Sequence, residues 1–193
     1  MSTTSTDSRL AYLTYNSSYP LLGNKSAPVT IYQFGDFQCT TCDAWFKTQE
    51  SQVIQTLVNT SKAKLVWRDF DYYGPDSKYA SEAAYAAGEQ GKFWQFYDTL
   101  FSNQQTPNSG WANQTNLVNF AKSLGLNLAQ FNQSFTSGKF DTLISANYKA
   151  GQSLGITGTP TFFVVGPDNQ IVQIVGDQPA SVFESEVNSM VPS

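Results

Sequence analysis

The sequence predicts an α/β protein in which a mixed central sheet flanked by helices is interrupted midway by an inserted helical domain. Three observations predict it. Between residues 29 and 70 a β-branched run, an amphipathic stretch and a second apolar run follow one another as a βαβ unit, which implies a parallel strand pair with a right-handed crossover. Residues 76 to about 154 then read as helix after helix. Two short strand-like runs and one more helix close the chain.

The elements follow in order. Residues 1–26 are a polar leader; residues 1–9 look like a hydroxyl-rich stalk of the kind that follows a signal or anchor, and Leu10 to Leu22 reads as extended chain or a short helix. Val29 to Phe34 is the first clear strand, introduced by Ala27-Pro28 and stopped by Gly35-Asp36. Thr41 to Leu57 carries Cys42, Trp45, Phe46, Val53, Ile54 and Leu57 at near-helical spacing. Lys64 to Phe70 is the second strand. The helical insertion, residues 76–150, contains Ser77 to Gln90, Lys92 to Ser102, Asn113 to Leu124 and Leu128 to Ser137, with Lys139 to Leu154 running past its end; Gly91, Gly125 and Gly138 mark helix ends. Gln104 to Gly110, polar and holding Pro107, reads as a loop and the best candidate for a mobile or variable segment. Thr161 to Val165 and Ile171 to Val175 flank the turn Gly166-Pro167-Asp168-Asn169, and a helix from Pro179 to Val187 completes the second part of the sheet domain, which spans 27–75 and 151–193.

Composition excludes several functions. Hydrophobic residues make up 40% of the 193 positions and aromatics 15%, enough for a proper core. Eleven Lys and Arg against fifteen Asp and Glu, without a basic run, leave no surface for nucleic acid. The histidine count is zero, which removes Ser-His-Asp and Cys-His catalysis and every His-ligated metal site. Two cysteines alone do not close a zinc site, so no metal is expected. No apolar run is long enough to span a membrane. Five Asn-X-Ser/Thr sequons, at Asn16, Asn24, Asn59, Asn113 and Asn132, are close to what chance gives in so polar a chain.

Chemistry concentrates at Cys39-Thr40-Thr41-Cys42, where the first strand passes into the first helix. A stabilising disulfide is a poor explanation, because the loop it would close is almost nothing. Two buried thiols acting as small hydrophobes would not place one at a helix start. A redox pair explains the spacing: residues three apart share a helix face, so their sulfurs can bond. The first sulfur then meets free N–H groups at the helix N-terminus, which favour its thiolate. On this reading Cys39 is an accessible nucleophile and Cys42 a shielded resolving thiol. Phe37 and Trp45 flank the pair and suit either the core or an apolar patch for unfolded peptides. Phe93-Trp94-Gln95-Phe96-Tyr97 and Phe162-Phe163 read as core.

A second motif, Gly158-Thr159-Pro160-Thr161-Phe162-Phe163, precedes the third strand. With Val29 to Cys42, Trp67-Arg68-Asp69-Phe70, Ala83 to Ala87, Gln90 to Trp94 and Leu124-Gly125-Leu126, it makes the chain from about residue 27 to 190 resemble the DsbA-like branch of the thioredoxin superfamily. The resemblance implies a thioredoxin fold with an inserted helical domain, a cis Pro160 beside the cysteine pair, and Thr159 offering backbone groups to an extended substrate. It also places a proline or histidine between the cysteines, where this chain has Thr40-Thr41, and a buried acid at Gln33. An amide cannot accept a proton. Asp36 is a possible substitute, although a turn residue is the plainer reading.

The resemblance implies a protein disulfide oxidoreductase, a monomer without cofactor beyond the redox-active Cys39-Cys42 pair, that forms disulfides in exported polypeptides. Its expected partners are reduced or unfolded exported chains and a quinone-linked membrane oxidase of the DsbB or vitamin K epoxide reductase type. The expected location is extracytoplasmic, with an anchor in the full-length protein a possibility. A reductase or isomerase of the same fold, and a peptide-binding module without turnover, are the alternatives.

Overall fold

The computed structural model describes residues 7–191; the first six residues of the leader, and with them most of the stalk-like segment, lie outside the described residues. Five strands form one mixed sheet in the order β1-β3-β2-β4-β5. Strand β2 (Val29–Gly35) lies at its centre, parallel to β3 (Ala63–Asp69) and antiparallel to β4 (Thr161–Val165), so that Gln33 faces Trp67 on one side and Phe162 on the other. Strand β5 (Ile171–Val175) closes the hairpin with β4. The stretch read as extended chain or a short helix holds both, a 3₁₀ turn over Ser8–Tyr12 and a two-residue strand β1 (Leu21–Leu22) antiparallel to β3. Two residues pair an edge but are too few to leave a period in the sequence.

The first helix begins with α1 (Thr40–Trp45) and continues without a break through a π turn over Phe46–Glu50, a short α2 (Ser51–Val53) and a second π turn over Ile54–Val58. The helical block consists of α3 (Pro75–Gly88), α4 (Phe93–Ser102), α5 (Gln114–Ser123), α6 (Leu128–Phe135) and α7 (Asp141–Ser153), and α8 (Ala180–Met190) follows the sheet. Pro75 suits the first turn of α3, where its missing N–H costs nothing. Asn113 and Asn127 cap α5 and α6 by accepting the N–H groups of Asn116 and Gln130.

Alternation along β2 sorts the core. Val29 and Ile31 join Trp45, Leu57, Phe162 and Phe183 on the face covered by the first helix and α8. Tyr32 and Phe34 join Val66, Phe70, Ile156 and Phe163 on the other. Buried Arg68 fastens that second face: Nε donates to Asn147 Oδ1 of α7 at 2.6 Å, and the guanidinium lies 4.1 Å from the Tyr19 ring of the leader. The third apolar cluster fills the helical block and reaches Phe37, Cys39, Cys42 and Trp67, so the block packs on the cysteine-bearing end of the sheet. Gly35 permits this approach, since a Cβ there would lie 2.4 Å from Trp67 Cη2. Among the described residues no helix is long and apolar enough to cross a membrane.

Candidate active site

The turn that ends β2 sets the geometry. Asp36 is fully buried, its carbonyl accepts the Cys39 N–H at 3.0 Å, and its carboxylate accepts the N–H groups of Gln38 (2.8 Å), Tyr72 (2.9 Å) and Tyr73 (3.3 Å). It is therefore more than a turn former: it ties the loop after β3 to the start of α1. Burial pushes its pKa up, and these donors act against that.

Cys39 is the N-cap of α1, and its sulfur accepts the Cys42 N–H at 3.4 Å. From the segment leading into β4, the strand next to β2, the Thr159 carbonyl, 3.2 Å away, accepts the Cys39 thiol proton, and the Thr159-Pro160 bond is cis. Both cysteines are free thiols. Once Cys39 ionises, donors hold the thiolate: first the Cys42 thiol, then the Thr159 hydroxyl, the Cys42 N–H and the Tyr72 hydroxyl. Together they outweigh burial and lower its pKa from 9.0 to about 6. Cys42 moves the other way, pushed well up by burial and then by its neighbour Cys39.

The structure thus brings Cys39, Cys42, Thr159 and Pro160 together. Thr40 and Thr41 lie exposed at the mouth of the pair. Gln33 lies beneath the site, fully buried, where its Nε2 donates to the Tyr97 hydroxyl at 3.1 Å. Phe37 and Trp45 are fully buried and belong to the core; they form no patch for peptides. The aromatic runs at 93–97 and 162–163 are core too, apart from half-buried Trp94 and polar Gln95.

Two expectations need correction. Cys39 is only 1% exposed, where an accessible nucleophile was expected. The Thr159 carbonyl lies 3.2 Å from its sulfur, and Tyr72, itself 42% exposed, places its hydroxyl 3.9 Å from that sulfur and accepts the Thr159 hydroxyl at 3.4 Å. The loop 104–110, the best candidate for a mobile or variable segment, is docked: Gln104 Nε2 donates to the carbonyls of Phe37 (2.8 Å) and Cys39 (3.1 Å), and the Asn108 N–H donates to Gln38 Oε1 at 2.7 Å. Polar residues that satisfy another segment's backbone look, in sequence, the same as residues that face water. Tyr72, Gln104 and Asn108 were missed for that reason. Only the aromatic pair Tyr72-Tyr73, out of place in a loop, gave a signal.

A thioredoxin-like sheet with a dithiol at a helix N-terminus and a cis-proline loop beside it defines a thioredoxin-fold thiol-disulfide oxidoreductase. Comparison with known proteins agrees with that class. The sequence model of the family described as Thioredoxin matches residues 16–171, and the chain belongs to that family. The "Probable disulfide bond formation protein D" of Bacillus cereus is 29% identical over 160 residues, which cover 81% of this chain and 72% of the relative. The "Na(+)/H(+) antiporter NhaA 1" of Salinispora arenicola is 32% identical over 146 residues, 75% of this chain. The aligned region is only 21% of that antiporter's length. The crystal structure of Wolbachia pipientis alpha-DsbA1 superposes with a TM-score of 0.83 over 96% of each chain at 20% identity, a likeness of fold.

Proposed function

We propose that this chain works as a DsbA-like oxidase, passing the Cys39-Cys42 disulfide to reduced exported polypeptides outside the cytoplasm. The observation that carries the reading is the split between the two thiols, Cys39 lowered to about 6 and Cys42 pushed well up. A sulfur so readily ionised is a good leaving group and makes the disulfide a strong oxidant, because the reduced form is the stabilised one.

In the cycle a substrate thiolate attacks Cys39 of the oxidised pair, forming a mixed disulfide and releasing the Cys42 sulfur. A second substrate thiolate attacks the substrate sulfur of that mixed disulfide, and Cys39 leaves as thiolate. The substrate has lost two electrons and the protein has gained them. Tyr72 must swing from the Cys39 sulfur for the first attack, and the extended substrate then lies along Thr159. A membrane oxidase of the DsbB or vitamin K epoxide reductase type would restore the disulfide, and the chain acts as a monomer.

The test is an equilibrium titration against glutathione together with oxidation of a dithiol peptide. The expected potential lies well above the thioredoxin level of about −270 mV. A value at or below that level makes the chain a reductase. Holding of unfolded peptides that survives loss of both cysteines, with no exchange by the wild type, would leave only a peptide-binding role.

A further inference from the structure

When the Cys39-Cys42 bond is attacked at Cys39, its electron pair remains on Cys42. That sulfur is fully buried, and burial is the leading cause that pushes its pKa well up. The thiolate therefore needs a proton at the moment it forms, and bulk water does not touch it. Beneath the site Gln33 carries an amide, which cannot give or take a proton. The Asp36 carboxylate is engaged by three backbone N–H groups.

One acid remains on the inner face of the first helix. Glu50 is 3% exposed, and the Tyr97 hydroxyl donates to its Oε1 at 2.9 Å. That hydroxyl accepts in turn from Gln33 Nε2, while Gln33 Oε1, equally buried, has no hydrogen-bond partner among the described residues. Tyr97 shares the apolar cluster of Cys39 and Cys42, and a charge on Cys42 is felt at its hydroxyl, raising the Tyr97 pKa further. The chain of groups therefore runs from beneath the cysteines to the one member that keeps some contact with the surface.

The π turn explains how Glu50 reaches this face. In an unbroken α-helix a residue eight positions after Cys42 would sit roughly 80° away from it, at about 100° per residue. Five residues of the wider turn, each rotating the chain by roughly 80°, bring Glu50 back onto the Cys42 face.

We propose that Glu50, acting through Tyr97, is the proton reservoir for Cys42 during disulfide exchange. The inference rests on the thiol-disulfide reading above. In the forward step a substrate thiolate bonds to Cys39 and the bond between Cys39 and Cys42 breaks. The electron pair on Cys42 takes up a proton supplied from the Glu50 carboxyl by way of the Tyr97 hydroxyl, and Glu50 is left as carboxylate. In reverse, the carboxylate receives the Cys42 proton as Cys42 attacks a mixed disulfide. Burial pushes the Glu50 pKa up to about 8, helped by the charge of Asp98 and opposed by the Tyr97 hydrogen bond, so the carboxyl holds its proton at neutral pH. The titratable groups that act on it, Tyr97 and Asp98, both belong to α4, and the group facing the relay from β2 is neutral Gln33.

The experiment is rapid-mixing reduction of the oxidised protein by dithiothreitol between about pH 6 and pH 10, with rates corrected for the reagent's own ionisation. The wild-type corrected rate should fall as pH rises through about 8, the pKa of Glu50. Glu50→Gln should lose that inflection and react roughly tenfold or more slowly below it. Tyr97→Phe, which leaves the carboxyl in place, should do the same while the ultraviolet titration of Cys39 stays where it was. A merely structural role would slow both variants without removing the inflection. An inflection that persists in either folded variant overturns the relay. Absence of exchange in the wild type overturns the oxidoreductase reading itself, a separate outcome.

Discussion

The Cys39 thiolate owes more to Cys42 than to the helix end that first suggested it, and truncating Cys42 isolates that contribution. A fall from 9.0 to about 6 is a differential of about 4 kcal/mol between the two protonation states, at about 1.36 kcal/mol per unit. The Cys42 thiol is the largest cause and the Tyr72 hydroxyl the smallest. Cys42→Ala should therefore raise the Cys39 pKa by at least about one unit, Cys42→Ser should raise it less because a hydroxyl still donates, and Tyr72→Phe should raise it by less than Cys42→Ala does. At pH 7 the wild type is then about ten parts thiolate to one of thiol, and an unperturbed cysteine about one part in a hundred. That difference stabilises the reduced protein by about 1.4 kcal/mol, or about 30 mV of potential. The sign fixes a pH window. A folded pKa below the unfolded one stabilises the reduced fold fully above about pH 9 and loses that stabilisation as pH falls through about 6. Cys42, raised well above its ordinary value, works in the opposite direction only above about pH 9. The assay is ultraviolet thiolate absorbance against pH, checked by the pH dependence of alkylation. A wild-type midpoint near 9, or a midpoint that Cys42→Ala leaves in place, would refute the reasoning.

Two other substitutions test the frame around the pair. Asp36→Ala leaves the N–H groups of Gln38, Tyr72 and Tyr73 without their acceptor; it should cost about 2–4 kcal/mol by denaturant unfolding and speed alkylation of Cys39 as Tyr72 comes loose, with Asp36→Asn milder on both counts. Gly35→Ala drives a methyl to 2.4 Å from a Trp67 indole already stacked on Phe37. A loss of about 1–3 kcal/mol is expected, and an unchanged unfolding midpoint would mean the indole has room to move.

What the sequence made legible follows from how local each signal is. The β2-α1-β3 unit, the helical block and the final hairpin announced themselves because period and turn residues lie within a few positions of one another. The cysteine pair was legible for the same reason. Thr159 and Pro160 came through resemblance, since nothing in their own neighbourhood places them beside a residue 120 positions earlier. Tyr72, Gln104 and Asn108 reach the site from loops, where polar and aromatic residues carry no period. Glu50 was hidden by geometry: an α-helical reading turns it off the Cys42 face, and only the π turn returns it.

The distance along the chain between Cys39 and Thr159 also bears on how the protein matures. Strand β2 can pair early with β3, its near neighbour in sequence, but β4 arrives only after the whole helical block has been made. Closing so long a loop is entropically unfavourable and belongs to the slow part of folding. Until it closes, α1 can present its two cysteines to solvent without the Thr159 carbonyl over them, open to exchange with any passing thiol or disulfide. With only two cysteines in the whole sequence, there is no wrong internal bond for such an exposed pair to make, and an early oxidation within the chain yields the same bond the finished protein uses.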